Sequence, residues 1–376
     1  MTELLSHATG LPSTPARPSD MIDSARAVWR DNDDNVHVHS HADVTYLLRS
    51  TEAALDITQT PGFDPATAHV TLLFAWAVDG AAHQRQRELL MPWLGPRSVT
   101  PERGLDIVRV ATQRVARMPE AFDVYNDLTV PVAVQIVADL VGISADEVLW
   151  LLDRQREHPA MGEQGGPPAQ PQVDAYLAEV MDRPHLAGMA RAMRDAARSG
   201  QITERESHAM VWGAVQASTL NVAASGAMTV GMLIETGAWP PRAEQVSAAV
   251  EEAIRLAAPF PISLRVATAP FTLPSGAHIA PGEVLMLHLD SASRDPERRG
   301  DGCPMGQFDP ARDPNRHLGW SDGRRRCLGV ALARNMIVAT VTALAEQRPD
   351  LALNGAWGRY ISIEDGVTDS PVRGPR

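Results

Sequence analysis

Apolar residues recur at intervals of three and four along five segments: GLDIVRVATQRVARM (104–118), VPVAVQIVADLV (130–141), ERESHAMVWGAVQASTLNVAASGAMTVGMLI (204–234), AAVEEAIRL (248–256) and LGVALARNMIVATVTALAEQ (328–347). Such spacing lines one face of a helix with core residues, so the chain reads as mainly α. Alternation appears late, in SLRVATAPFTLPSGAHIAPGEVLMLHL (263–289), where the turns LPSG and APGE predict small hairpins. The sheet is therefore expected to be minor and late in the chain. The stretch 157–172, EHPAMGEQGGPPAQPQ, is too rich in Pro and Gly for a stable helix and reads as a surface loop. No internal repeat is visible.

Composition narrows the function classes. The chain has 376 residues, 44% hydrophobic and 21% charged, enough for one large domain or two average ones. A net charge of -12 argues against nucleic-acid binding, which needs a dense basic face. No run approaches the ~18 apolar residues needed to span a bilayer, and MTELLSHATGLPSTPARPSD lacks the pattern of a secretory signal. The expectation is a cytoplasmic protein with no membrane partner. Two cysteines, Cys303 and Cys327, cannot build a disulfide framework, and neither lies in a CxxC pair.

Cys327 has unusual neighbours. In HLGWSDGRRRCLG (317–329) it follows Arg324, Arg325 and Arg326 and opens a helix, a place where positive charge and backbone N–H groups favour an anionic sulfur. Gly323 and Gly329 flank it where missing side chains permit a sharp turn and the close approach of a flat ligand. An isolated cysteine after a basic run is usually a core residue; here the order of the surrounding residues outweighs that reading.

HLGWSDGRRRCLGVALAR resembles the haem-binding loop of the cytochrome P450 family, F-x-x-G-x-x-x-C-x-G, with Trp320 in place of the usual Phe. The resemblance implies a helical bundle around a buried haem b (iron protoporphyrin IX), with small β-sheets. It also implies one domain over 1–376, residues 1–20 forming a flexible N-terminal segment. Cys327 would be the axial, metal-binding residue, its thiolate favouring O–O cleavage. Glu252 and Arg255 in EEAIR match the family's E-x-x-R pair, and either Arg312 or Arg316 fills the third place. His83 and Arg87 in DGAAHQRQR, Arg265 in PISLR and Arg325 complete a cationic cradle for the two haem propionates, with Trp320 and Gly329 also in the cofactor site.

The chain departs from the family on the distal helix. Family members carry A/G-G-x-D/E-T there, an acid and an alcohol that help deliver protons during oxygen activation. Counting back from GMLI places Asn221 and Val222 at those positions; a register one turn away makes Thr219 the alcohol. The resemblance implies a haem-thiolate oxidase of bacterial secondary metabolism, fed electrons by a separate ferredoxin or flavodoxin-type partner. The missing acid and alcohol point to oxidative coupling or cyclisation of an aromatic, peptide-derived small molecule. The alternatives are C–H hydroxylation by a conventional monooxygenase and a non-catalytic haem-binding protein. Substrate contacts are expected from HVTLLFAW, the 157–172 loop, the distal helix, Pro261 to Leu264 and the tail IEDGVTDS.

Overall fold

A computed structural model describes residues 27–32, 34–59, 62–100, 105–157, 171–295, 307–312, 315–354 and 371–373. Residues 1–20, 158–170, Cys303 and the tail 363–370 lie outside the described residues. The helices are α1 (His41–Arg49), α2 (Gly80–Leu94), α3 (Ile107–Ala116), α4 (Val130–Val141), α5 (Ala145–Glu157), α6 (Pro171–Asp182), α7 (Gly188–Arg198), α8 (Glu204–Glu235), α9 (Ala243–Leu256), α10 (Leu289–Ser293) and α11 (Val330–Gln347). The strands are β1 (Val28–Arg30), β2 (Val36–Val38), β3 (Ala53–Ala54), β4 (Ala121–Asp123), β5 (Ile262–Ala267), β6 (Phe271–Thr272), β7 (His278–Ile279), β8 (Val284–His288), β9 (Ala352–Leu353) and β10 (Pro371–Arg373).

The five helical segments read from periodicity all form helices. α8 is the axis of the molecule, buried along nearly all of its length and packed by α4, α7, α9 and α11. Its start is set by a capping box: Thr203 Oγ1 accepts the Glu206 N–H, and Glu206 accepts the Thr203 N–H at 2.8 Å. Contrary to the expectation that no run is long enough, α8 and the Val124–Val141 stretch are long and apolar enough to cross a bilayer by length and composition, and both lie mostly inside the protein.

The sheet departs from expectation. LPSG does turn the β6–β7 hairpin. β5 and β8, however, join β1, β2 and β3 in one sheet of order β1-β2-β8-β5-β3, with β2 parallel to β8. The N-terminal strands thus flank the later ones on both sides, β1 and β2 beside β8 and β3 beside β5, and Arg265 lies on the interior strand β5, near Arg324 and Arg325 of the cysteine loop.

Candidate active site

Two carboxylates on α9, buried Glu252 and half-buried Glu251, organise the chain around Cys327. Arg255 Nε and Nη2 donate to Glu252 at 2.7 Å each, and both side chains are fully buried. Arg312 (3.1 Å) and Asn315 (3.0 Å) add further donors, so Arg312 is the third partner that spacing left open between Arg312 and Arg316. The segment before the cysteine is thereby tied to α9 by charge-assisted bonds in a dry setting, where losing one partner is costly.

The loop itself turns at Gly323, whose φ of +64° and whose contact with the Leu48 carbonyl, 2.4 Å from where a Cβ would stand, leave room for glycine only. The Cys327 N–H donates to the Trp320 carbonyl at 2.8 Å. Cys327 has exposed surface, yet enough protein surrounds it that burial pushes its thiol up, against the Gly329 N–H, Arg87 and Arg326, which pull it down. The backbone beside the sulfur is open as well: a Cβ at Gly329 would meet nothing within 4 Å. A thiol so placed ionises when it binds a metal ion, whose charge outweighs burial.

Positive charge gathers beside it. Arg265 is 4% exposed and donates only to Ser263 Oγ (2.8 Å) and the Leu264 carbonyl (2.6 Å), with no carboxylate in ion-pair contact among the described residues. Burial and the neighbouring Arg325 and Arg324 lower it to about 10. Buried His83 is lowered to about 4, first by burial and then by Arg325 and Arg87. Arg87 bonds the Arg326 carbonyl at 3.0 Å and senses the Cys327 sulfur. Arg325 is more committed: it donates to the carbonyls of Leu55, Ala75, Trp76 and Val78 and pairs with Asp79 at 3.3 Å, leaving a buried Nε without a partner. Asp79, which also pairs with Arg324 at 3.0 Å, is the carboxylate in ion-pair contact with this cluster, and Asp56 adds a weaker attraction on Arg325. A buried surplus of cations next to an open thiol fits a flat, metal-centred ligand with two carboxylates, which is what haem presents.

The distal-helix residues separate. Thr219 is fully buried and its hydroxyl donates to the Val215 carbonyl at 2.7 Å. Val222 lines a small cavity together with Thr129, Gly226 and Ile337, on the side of α11. Asn221 lies on the less covered stripe with Ala217; its Nδ2 donates to the Ala217 carbonyl at 3.3 Å and its buried Oδ1 has no partner. Of the three, only Asn221 presents a polar atom away from the core contacts of α8.

Sequence reasoning assigned no role to Asp79 or Glu251, although DGAAHQRQR and EEAIR contain them. Each is an acid beside residues already singled out, and adjacency was the available signal. A second cluster, His37, His39 and His288, brings three buried imidazoles together. Trp29 Nε1 donates to His39 Nε2, and His37 bonds Asp31 and His288 through its two nitrogens. With Nε2 of His37 donating to Asp31 and Nε2 of His288 donating to His37, only Nδ1 of His288 keeps a free lone pair. One free lone pair does not make a three-histidine metal centre.

Residues 244–346 match the family model described as "Cytochrome P450". The chain is 29% identical over 207 residues to "Cytochrome p450 CYP199A2" of Rhodopseudomonas palustris, covering 53% of this chain and 49% of that one. It is 25% identical over 321 residues to "Polyketide biosynthesis cytochrome P450 PksS" of Bacillus subtilis, covering 79% of this chain and 76% of that one. The match to the first of these relatives spans about half of its length. Among solved structures it is similar to "The cytochrome P450 enzyme CxnD for C-S bond formation in chuangxinmycin biosynthesis", with a TM-score of 0.81 at 21% identity over 94% of this chain and 93% of that one. The segment from α9 to α11 thus resembles the cytochrome P450 family, and the chain has the cytochrome P450 fold.

Proposed function

We propose that the chain is a haem-thiolate oxidase of bacterial natural-product metabolism, with Cys327 as the axial ligand of haem b. The observation that carries this reading is the Cys327 thiol beside buried Arg265 and Arg325, of which Arg265 has no carboxylate in ion-pair contact among the described residues. His83, Arg87 and Arg265, with the free Nε of Arg325, hold the propionates; the Gly329 N–H donates to the sulfur and tempers its charge. Haem, when bound, supplies the one-electron and dioxygen chemistry. The electrons come from a ferredoxin or flavodoxin-type partner, drawn to the exposed Arg326 and, less strongly, to Arg324, which Asp79 already engages.

The reaction proposed is oxidative coupling or cyclisation of an aromatic, peptide-derived small molecule. Its balance is two substrate hydrogens, dioxygen, two electrons and two protons going to one new bond and two waters. Asn221 Oδ1 can accept a hydrogen bond from a substrate hydroxyl or a water, but the amide cannot ionise, and Thr219 and Val222 place no hydroxyl on that stripe. Protons therefore come from substrate or water. The fold also serves an enzyme titled for C–S bond formation, so bond-forming oxidation lies within its reach.

The test is turnover with a reduced ferredoxin and a panel of aromatic small peptides and cyclic dipeptides, in labelled dioxygen. Coupling predicts a product two mass units lighter than substrate with no label; a product carrying one labelled oxygen assigns hydroxylation instead. Loss of substrate-dependent turnover across the panel, with haem bound, would favour a non-catalytic haem protein.

A further inference from the structure

Glu251 precedes the E-x-x-R glutamate by one residue and points to a different set of partners. Its Oε2 accepts from His317 Nε2 at 2.9 Å, Trp320 Nε1 at 3.0 Å and Arg334 Nη2 at 2.9 Å, while Arg334 Nε donates to Oε1 at 2.5 Å. His317 Nδ1 accepts the Gly319 N–H at 3.1 Å, which fixes the imidazole with its proton on Nε2. The Arg334 guanidinium lies 5.8 Å over the Trp320 ring. With so many donors converging on it, the carboxyl is lowered to about 2 and stays ionised.

The partners lie on both sides of the cysteine. Trp320 precedes Cys327 by seven residues and accepts its N–H, whereas Arg334 follows it by seven and belongs to α11. One carboxylate on α9 therefore pins the loop at entry and at exit, and the indole N–H is the link that an ordinary Phe at position 320 would lack.

We infer that Glu251 is a positioning residue for the thiolate ligand: through Trp320 and Arg334 it holds the Cys327 backbone in the register that keeps the Gly329 N–H on the sulfur. This rests on the proposed haem-thiolate function. Glu252 secures the preceding segment through Arg312 and Asn315, whereas Glu251 secures the loop that carries the sulfur.

The experiment compares Glu251→Gln, Glu251→Asp and Trp320→Phe with wild type. In haem-loaded protein it follows how fast the reduced carbon monoxide complex passes from the red-shifted thiolate band to the neutral-thiol band. In haem-free protein, in a Cys303→Ser background, it follows the alkylation rate of Cys327 by iodoacetamide. Glu251→Gln should speed the band conversion about tenfold and Trp320→Phe about threefold, the scale expected for losing a charged acceptor and a single donor, with partial rescue in Glu251→Asp. The alkylation rate should change in the same order. Wild-type conversion and alkylation in both Glu251→Gln and Trp320→Phe would overturn the inference; if Glu251→Gln does not fold, Trp320→Phe decides. Absence of the red-shifted band in wild type would instead reject the haem-thiolate function, and the alkylation rates would still judge Glu251.

Discussion

The two sides of the site are held by different kinds of bond. On the cysteine side, Asp79, Glu251 and Glu252 each gather donors from distant parts of the chain. On α8, the side chains of Thr219, Asn221, Ser225 and Thr229 all bond to the carbonyl four residues earlier in their own helix. Tertiary charge pairs fix where a loop lies, because moving it strands a buried ion. Ion pairs tie α8 only near its start, at Arg205 and Glu206; along the 219–229 stretch these hydroxyl and amide groups bond within the helix, so they can change without moving the frame. Ligand binding is thus built into one side, and reaction type is left open to variation on the other.

The largest effect should come from breaking the most buried pair. Glu252→Gln leaves Arg255 and Arg312 facing a neutral amide and should cost about 3–5 kcal/mol, read as a lowered denaturation midpoint. Thr219→Val on the opposite side should cost about 1 kcal/mol or less. Equal costs would dissolve the contrast between the two sides.

Next in size, Arg265→Ala removes a buried guanidinium that has no carboxylate of its own in contact. Haem retention should fall about tenfold against an unchanged Arg191→Ala control, as expected for loss of a charge-assisted bond. Retention equal to that of the control would take Arg265 out of the cradle.

A smaller, graded effect is expected in the sheet, which lies between these extremes. Burial holds His39 at about 4 and His288 at about 3, below the ordinary 6.5. The unfolded chain binds protons at these residues below pH 6.5 while the native state does not, so stability falls as the pH drops. The slope is about 1.4 kcal/mol per pH unit for each histidine, levelling near pH 4 for His39 and near pH 3 for His288. Denaturant unfolding at pH 7, 6 and 5 measures it; a His288→Gln variant with the wild-type slope would contradict the assignment.

How legible each part was follows from the same distinction. The cysteine loop is a contiguous motif, so Cys327, Gly323 and Gly329 could be read directly, and α8 was legible because its apolar run is local. Which stripe of α8 faces the site was not legible, since the helix is apolar all round and periodicity carries no direction there. Strands β1 and β2, three residues each, are too short for alternation to show, and β2 is completed only by β8, far along the chain. The choice of Arg312 over Arg316 needed the fold of the segment before the cysteine. Glu251 was in view in EEAIR, but its partners His317, Trp320 and Arg334 come together with it only in the fold.

The smallest structural change carries the chemical question. Asn221→Leu keeps the helix and removes the only polar atom that these three α8 positions offer on the less covered stripe. It should leave haem binding unchanged and lower coupling turnover several-fold, by the scale of one hydrogen bond. Thr219→Ala should leave turnover near wild type, and a larger loss there than at Asn221 would show that the register of α8 is shifted.

The most direct measurement is the absorbance spectrum of the haem-loaded, reduced protein under carbon monoxide, for wild type, Cys327→Ala and Cys303→Ala. The red-shifted Soret band of a thiolate-bound haem should be present in wild type and Cys303→Ala and absent from Cys327→Ala. Its survival in Cys327→Ala, or its loss in Cys303→Ala alone, would contradict the assignment of Cys327 as the haem ligand.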